Sequence, residues 1–188
     1  SRGTTTPRKL FFAVALLVPL STMADVIHHD GFEDGDANGW ILNGNIVVNG
    51  IQSIGQYSLR HKKSGTSLLP VPSTDFTDVS ITMNLAATSL EKNDHCYAEV
   101  STNGGSSWTT VVEVHNGNDN GTFFSNTVSP AGADDNANLQ IRFRATGRNN
   151  GDYCWGDEVT VSGTPGGVVT EPDISLGGSG AFGDVEIN

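Results

Sequence analysis

Basic residues are scarce in this chain. Ten Lys and Arg stand against 21 Asp and Glu, for a formal net charge of −11. That balance lacks the basic footprint a nucleic-acid-binding protein needs. Cysteine is scarcer still, with two in 188 residues and neither a CxxC pair nor a Cys/His zinc spacing. No apolar run is long enough to span a bilayer as a mature helix; Leu10–Leu20 is the longest. GxSxG, HExxH and a phosphate-cradling glycine loop are absent. His28-His29 is the nearest approach to a catalytic pair, but neighbours on a strand point to opposite faces, so at most one could join a site. His61, His95 and His115 are scattered. No enzyme is expected within this stretch.

What is present is glycine, 23 of them, with abundant Asn, Ser and Thr and only 16% charged residues. This is the make-up of a β-rich protein with many turns. Residues 1–24 read as an export signal. Arg2, Arg8 and Lys9 form the basic region, Leu10–Leu20 the apolar one, and Ser21-Thr22-Met23-Ala24 a small-residue cleavage site. The expected location is secreted or cell-surface, with no membrane span after cleavage.

From residue 25 to 163 no window carries a 3.6-residue period, while two-residue alternation recurs. Val79, Ile81, Met83 and Leu85 share one face of a strand. Cys96, Ala98 and Val100 do the same, with Tyr97, Glu99 and Ser101 opposite. After the Asn103–Ser106 turn the spacing places Trp108, Thr110, Val112 and Val114 in one row. Leu139, Ile141, Phe143 and Ala145 form another, with Gln140, Arg142 and Arg144 opposite. Residues 151–163, GDYCWGDEVTVSG, close the series with Val159 and Val161 in phase. About nine short strands between turn residues, each with one apolar face, predict an all-β, antiparallel jelly-roll β-sandwich. Residues 164–172 read as a Pro/Gly linker, and 173–188 as the truncated start of a second β domain, so further domains are expected C-terminally in a parent protein.

Export favours a single disulfide between Cys96 and Cys154, worth about 4 kcal/mol on the chain-entropy model; the alternatives are free thiols or pairing elsewhere. Strict alternation raises a difficulty. Asp157 falls in the inward row with Val159 and Val161, which turns Cys154 outward. A β-bulge at Gly156 would shift the register by one residue and bring Cys154 and Asp157 to the same side.

The order of Phe32-Glu33-x-Gly35…Gly39-Trp40, Tyr57-Ser58-Leu59, Glu99-Val100-Ser101-x-x-Gly104-Gly105-x-x-Trp108 and Tyr153-Cys154…Asp157-x-Val159-x-Val161 resembles the jelly-roll modules of bacterial secreted hydrolases, related in shape to MAM domains and galactose-binding-like carbohydrate-binding modules. Pro172-Asp173-Ile174-Ser175 and Phe182-Gly183-Asp184-Val185 resemble the opening of an abnormal-spindle/hydin-type immunoglobulin-like repeat. The first resemblance implies an accessory, non-catalytic role and a structural calcium between the first loop and the last strand. The residues offer donors for one. Asp34-x-Asp36-x-Asn38-Gly39 has the spacing of half an EF-hand loop, without its helices or closing Glu. An inward Asp157 would need a cationic partner. The expected metal set is Glu33, Asp34, Asp36, Asn38 and Asp157, with a rim Asp157 paired to an arginine as the alternative.

For a ligand, the outward row of Tyr97, Glu99, Arg142 and Arg144 could stack against and hydrogen-bond a sugar; an ordinary solvated sheet face is the alternative. Trp40, Trp108 and Trp155 are expected mainly in core packing. The expected function is a secreted accessory module binding a polysaccharide, a cell-surface glycan or another surface partner. A structural or adhesive spacer, or an ancillary domain of a hydrolase whose catalytic part lies elsewhere, is the alternative.

Overall fold

The computed structural model describes residues 23–166. The expected export signal up to residue 22, and the expected linker and second β domain from residue 167 on, lie outside the described residues; Thr164 and Pro165, at the start of the expected linker, instead end the last strand. Nine strands and no helix make up the described chain: β1 Asp25–Asp30, β2 Ile41–Asn49, β3 Ser58–Pro70, β4 Phe76–Thr88, β5 His95–Ser101, β6 Thr109–His115, β7 Phe124–Val128, β8 Gln140–Thr146 and β9 Tyr153–Pro165. Every pairing is antiparallel. One layer runs β2-β3-β8-β5-β6 and the other β1-β9-β4-β7. The layers meet where Leu59–Lys62 of β3 pairs with Gly156–Tyr153 of β9. Pairing the two long strands there shields edges that would otherwise be exposed.

The alternating apolar rows fill the space between the layers. Val79, Ile81, Met83 and Leu85 of β4 face Cys96, Ala98 and Val100 of β5 and Leu139, Ile141 and Phe143 at β8, all essentially without solvent contact. Trp40 stacks on Phe143 at 5.7 Å between ring centres, and its indole N–H donates to Asp30 at 2.7 Å. The same carboxylate accepts the Phe32 N–H. The Phe32-to-Trp40 segment is therefore a loop tied at both ends to Asp30. His61 is also in the core, donor or acceptor to Ser67 at 2.9 Å. Desolvation lowers its pKa to about 4, so it stays neutral.

Cys96 and Cys154 form a disulfide with Cα atoms 5.9 Å apart. It joins β5 to β9, strands that do not pair, and so ties one layer to the other. The register of β9 differs from the expected one. Gly156 lies opposite Leu85, on the core side, where an added Cβ would collide with the Phe143 ring. Cys154 is on that same side. The break comes later: Asn84 pairs with Asp157 and Thr82 with Thr160, so Glu158 and Val159 together oppose Met83. Glu158 carries the irregularity at φ 44°. Cys154 and Asp157 thus point to opposite sides, and the bulge at Glu158 returns Val159 and Val161 to the core. The disulfide and a buried Asp157 coexist without the shift expected at Gly156.

A second bulge corrects the β6 row. Ala98 pairs with Val112 but Glu99 with Thr110, leaving Val111 as the extra residue. Val112 and Val114 stay inside, while Trp108 and Thr110 turn to the outer face.

Candidate functional site

The outer face of β5 and β8 is built by their polar rows. Glu99 pairs with Arg142 across the strands, and its carboxylate takes both neighbouring guanidiniums. Arg142 Nε donates to Oε2 at 2.6 Å, Arg144 Nε to Oε2 at 3.0 Å and Arg144 Nη2 to Oε1 at 2.8 Å. Each guanidinium also lies over an aromatic ring: Arg142 over Trp108 at 3.9 Å and Arg144 over Tyr97 at 4.0 Å from the ring centre. His95 stacks beside Tyr97, at 5.6 Å and 10°, and bonds Glu113 at 2.7 Å. The result is a row of flat side chains, Trp108–Arg142–Glu99–Arg144–Tyr97–His95, each fixed by two neighbours. Cation–π contact and bidentate pairing both resist reorientation.

The electrostatics of the row are self-contained. Desolvation pushes the Glu99 carboxyl up, but the hydrogen bonds and charges of Arg144 and Arg142 outweigh it and hold it below its ordinary value. Its side chain is 5% exposed, against 19% and 29% for Arg142 and Arg144. A cleft of 540 Å³ opens beside Arg144, lined also by Asn43, Thr66 and Thr146. The four expected ligand residues are thus brought together. Trp108, which the sequence rows placed inside, completes them; the unmarked extra residue at Val111 hid it.

The expected metal residues divide. Asp34 Oδ1 accepts the Asp36 N–H, and Asp36 accepts both Asn38 nitrogens, within an exposed turn. Glu33 instead binds the β2–β3 loop, accepting from Gln56 and Tyr57 N–H groups at 2.9 and 3.1 Å. Asp157 is reached by the same loop: Ile54 N–H donates to Oδ2 at 2.7 Å, and Glu158 N–H to Oδ1 at 2.8 Å. No Lys or Arg among the described residues pairs with it. Burial pushes its pKa up to about 6, opposed by the two N–H groups and reinforced by Glu158 and Glu33. Asp157 is thus a fully buried carboxylate with no side-chain cation among the described residues, and Glu33, held by the same loop, adds to the rise of its pKa. Asp34, Asp36 and Asn38 are not joined to it.

Two further aromatics, Tyr153 and Trp155, stack at 5.5 Å on the outer side of β9. Ile51, Gln52, Arg60 and Thr88 complete a second cleft around them. Of the three tryptophans, Trp40 is in the core cluster, while Trp155 is buried on the opposite side of its strand.

The fold defines this chain as an antiparallel jelly-roll β-sandwich. No protein-family model matches the chain, and no curated protein matches it in sequence. Solved structures share the fold. The CBM22-1 xylan-binding domain from Paenibacillus barcinonensis Xyn10C superposes with TM-score 0.53 at 15% identity, over 78% of this chain and 99% of its own. TmCBM61, solved with β-1,4-galactotriose, gives TM-score 0.53 at 16% identity over 70% and 93%. The K3 cleaved adhesin domain of Lys-gingipain from Porphyromonas gingivalis gives 0.50 at 15% identity over 74% and 99%.

Proposed function

We propose that this chain is a secreted, non-catalytic module that binds a polysaccharide or cell-surface glycan on the outer face of β5 and β8. The carrying observation is the pre-stacked row of Trp108, Arg142, Glu99, Arg144 and Tyr97. Sugars are recognised by aromatic faces and edges together with rigidly held donors, and a pre-ordered face spends little entropy on binding. Arg142 gives its Nε to Glu99, and no described residue accepts from its Nη atoms, so planar donors remain for ring hydroxyls. The adjoining cleft, with Asn43 and Thr66, extends the face beyond one sugar unit. The xylan- and galactotriose-binding neighbours lend the reading support through shared fold alone. A calcium held by Glu33 and Asp157 belongs to the same reading, as a structural ion that neutralises Asp157 and fixes the β2–β3 loop. The spacer reading rests on the closure of the Glu99 network, which would serve equally to stiffen a sheet.

Native affinity electrophoresis of the full chain through gels containing xylan, β-1,4-galactan, mannan or β-glucan tests this. The expected result is retardation by at least one polymer, weakened at least about tenfold in Tyr97→Ala, as for an aromatic hot spot whose ring edge and hydroxyl meet the ligand. No retardation by any polymer would favour the spacer. Retardation unchanged in both Tyr97→Ala and Arg144→Ala would move the site off this face.

A further inference from the structure

The two loops that precede the disulfide half-cystines follow one pattern. Glu91-x-x-Asp94-x-Cys96 lies between β4 and β5, and Asn149-x-x-Asp152-x-Cys154 between β8 and β9. Each loop closes on itself with a backbone hydrogen bond, Asp94 N–H to Glu91 O at 2.9 Å and Asp152 N–H to Asn149 O at 3.2 Å. The disulfide two residues further on clamps the turns against each other. One carboxylate oxygen from each of Glu91, Asp94 and Asp152 consequently lies within 4.8 Å of the other two.

Two of these carboxylates are shut off from water, Asp94 at 3% exposure and Asp152 at 2%. Asp152 Oδ2 accepts the Asn149 N–H at 2.6 Å. Its Oδ1 is buried with no hydrogen-bond partner, and an unsatisfied buried carboxylate oxygen is costly. The cations at hand, Lys92 and Arg148, line the same cleft but are exposed, and Lys92 pairs with none of the three carboxylates. Arg148 Nε is 3.7 Å from Asp94, and its side chain is 76% exposed, so solvent screens it. Three like charges at this separation repel unless something of opposite sign stands among them. A cleft of 280 Å³, lined by Glu91, Asp94 and Asn149, opens on the exposed Glu91 side of the cluster.

We propose that Glu91, Asp94 and Asp152 form a divalent-cation site, for calcium, distinct from the Glu33–Asp157 pair. The donors are all hard oxygens from two loops. They lack the sulfur or imidazole that would select a transition metal, and they leave coordination positions for water, as calcium accepts. The Asp157 neighbourhood is capped by the β2–β3 loop, whereas this cluster belongs to the β4–β5 and β8–β9 loops. The site does not depend on glycan binding. Its role is to lock the two turns at the disulfide end of the sandwich.

Calcium is titrated calorimetrically into the oxidised full chain, stripped of metal beforehand, alongside Glu91→Gln and Glu33→Gln. Glu91 is exposed, so its substitution leaves the fold intact; near-ultraviolet circular dichroism checks this. The expected result is a calcium-binding event that weakens at least about tenfold in Glu91→Gln, the scale on which metal sites respond to lost coordination partners. That event persists in Glu33→Gln. A wild-type chain giving no heat with millimolar calcium would overturn the proposal. So would a Glu91→Gln titration superimposable on wild type, or loss of all calcium binding in a folded Glu33→Gln.

Discussion

Glu99 and Asp157 are both carboxylates on the outward side of a strand, and both are closed off from water. Their electrostatic surroundings differ. Glu99 sits between two guanidiniums and is held below its ordinary value despite desolvation. Asp157 receives two backbone N–H groups and no side-chain cation, and is pushed up to about 6. Burial acts in the same direction on both, so the difference comes from the neighbouring strand. The antiparallel partner of Glu99 is β8, whose polar row contributes arginines. The partner of Asp157 is Asn84, whose amide donates to Glu158 O instead. One region carries its own counter-charge, and the other holds its carboxylate with backbone N–H groups alone.

The largest effect should come from breaking the neutralised region. Glu99→Ala leaves Arg142 and Arg144 half-buried beside each other without an anion. Removing one partner of a buried ion network costs about 3–5 kcal/mol, with the lower end expected here because the arginines keep some solvent contact. Urea unfolding at pH 7 measures it. A loss below about 1 kcal/mol, the range of exposed pairs, would mean that the row is not the rigid element its geometry indicates.

The next effect separates the two carboxylates by pH. Asp157 has a folded pKa above its unfolded value, so its contribution to stability is full below about pH 4 and is lost as pH rises through about 6. The corresponding change is at most about 3 kcal/mol. Glu99 has the opposite sign: its contribution is present above the ordinary carboxylate range and is lost as pH falls through its depressed value. In chelator, the Glu91→Gln variant, which isolates this region, should therefore lose stability between pH 4 and 7. Added calcium should flatten that slope, because an ion favours the charged form of Asp157. Thermal melts across pH, with EDTA or calcium, would read it. Identical profiles in the two conditions would remove the metal from the Asp157 region and leave Glu99 alone in its class.

The two regions also differ in how much of them could be read from the sequence. Alternation in β4, β5 and β8 placed the core and put Tyr97, Glu99, Arg142 and Arg144 on one outward face. Where a strand is regular, period two suffices. The Asp157 region failed that reading because a bulge adds one residue with no compositional mark. Glycine at 156 suggested the break, yet Gly156 is needed for a different reason, the Phe143 ring against its Cα. The break is at Glu158, a residue with a side chain held at positive φ. Val111 misled the β6 row in the same way and hid Trp108. The loop covering Asp157 was also invisible, since its Ile54 N–H reaches Asp157 across 103 residues.

The bulge itself offers the smallest and most discriminating test. Glu158 has φ 44°, a left-handed conformation that costs a residue with a Cβ about 1 kcal/mol or more. Its charge also adds to the rise of the Asp157 pKa. Glu158→Gly relieves the backbone and removes the repulsion. It gives up a half-exposed contact with His29 at 3.6 Å, worth little, and adds chain entropy to the unfolded state. The two gains share a sign at neutral pH, so the variant should be more stable by up to about 1 kcal/mol. Part of that gain should vanish below pH 4, where Asp157 is protonated and repulsion no longer matters. A gain of the same size at pH 4 and pH 7 would assign it all to backbone strain. A loss at both would show that the Glu158 side chain, packed against Gly31, holds the bulge that turns Asp157 toward its loop.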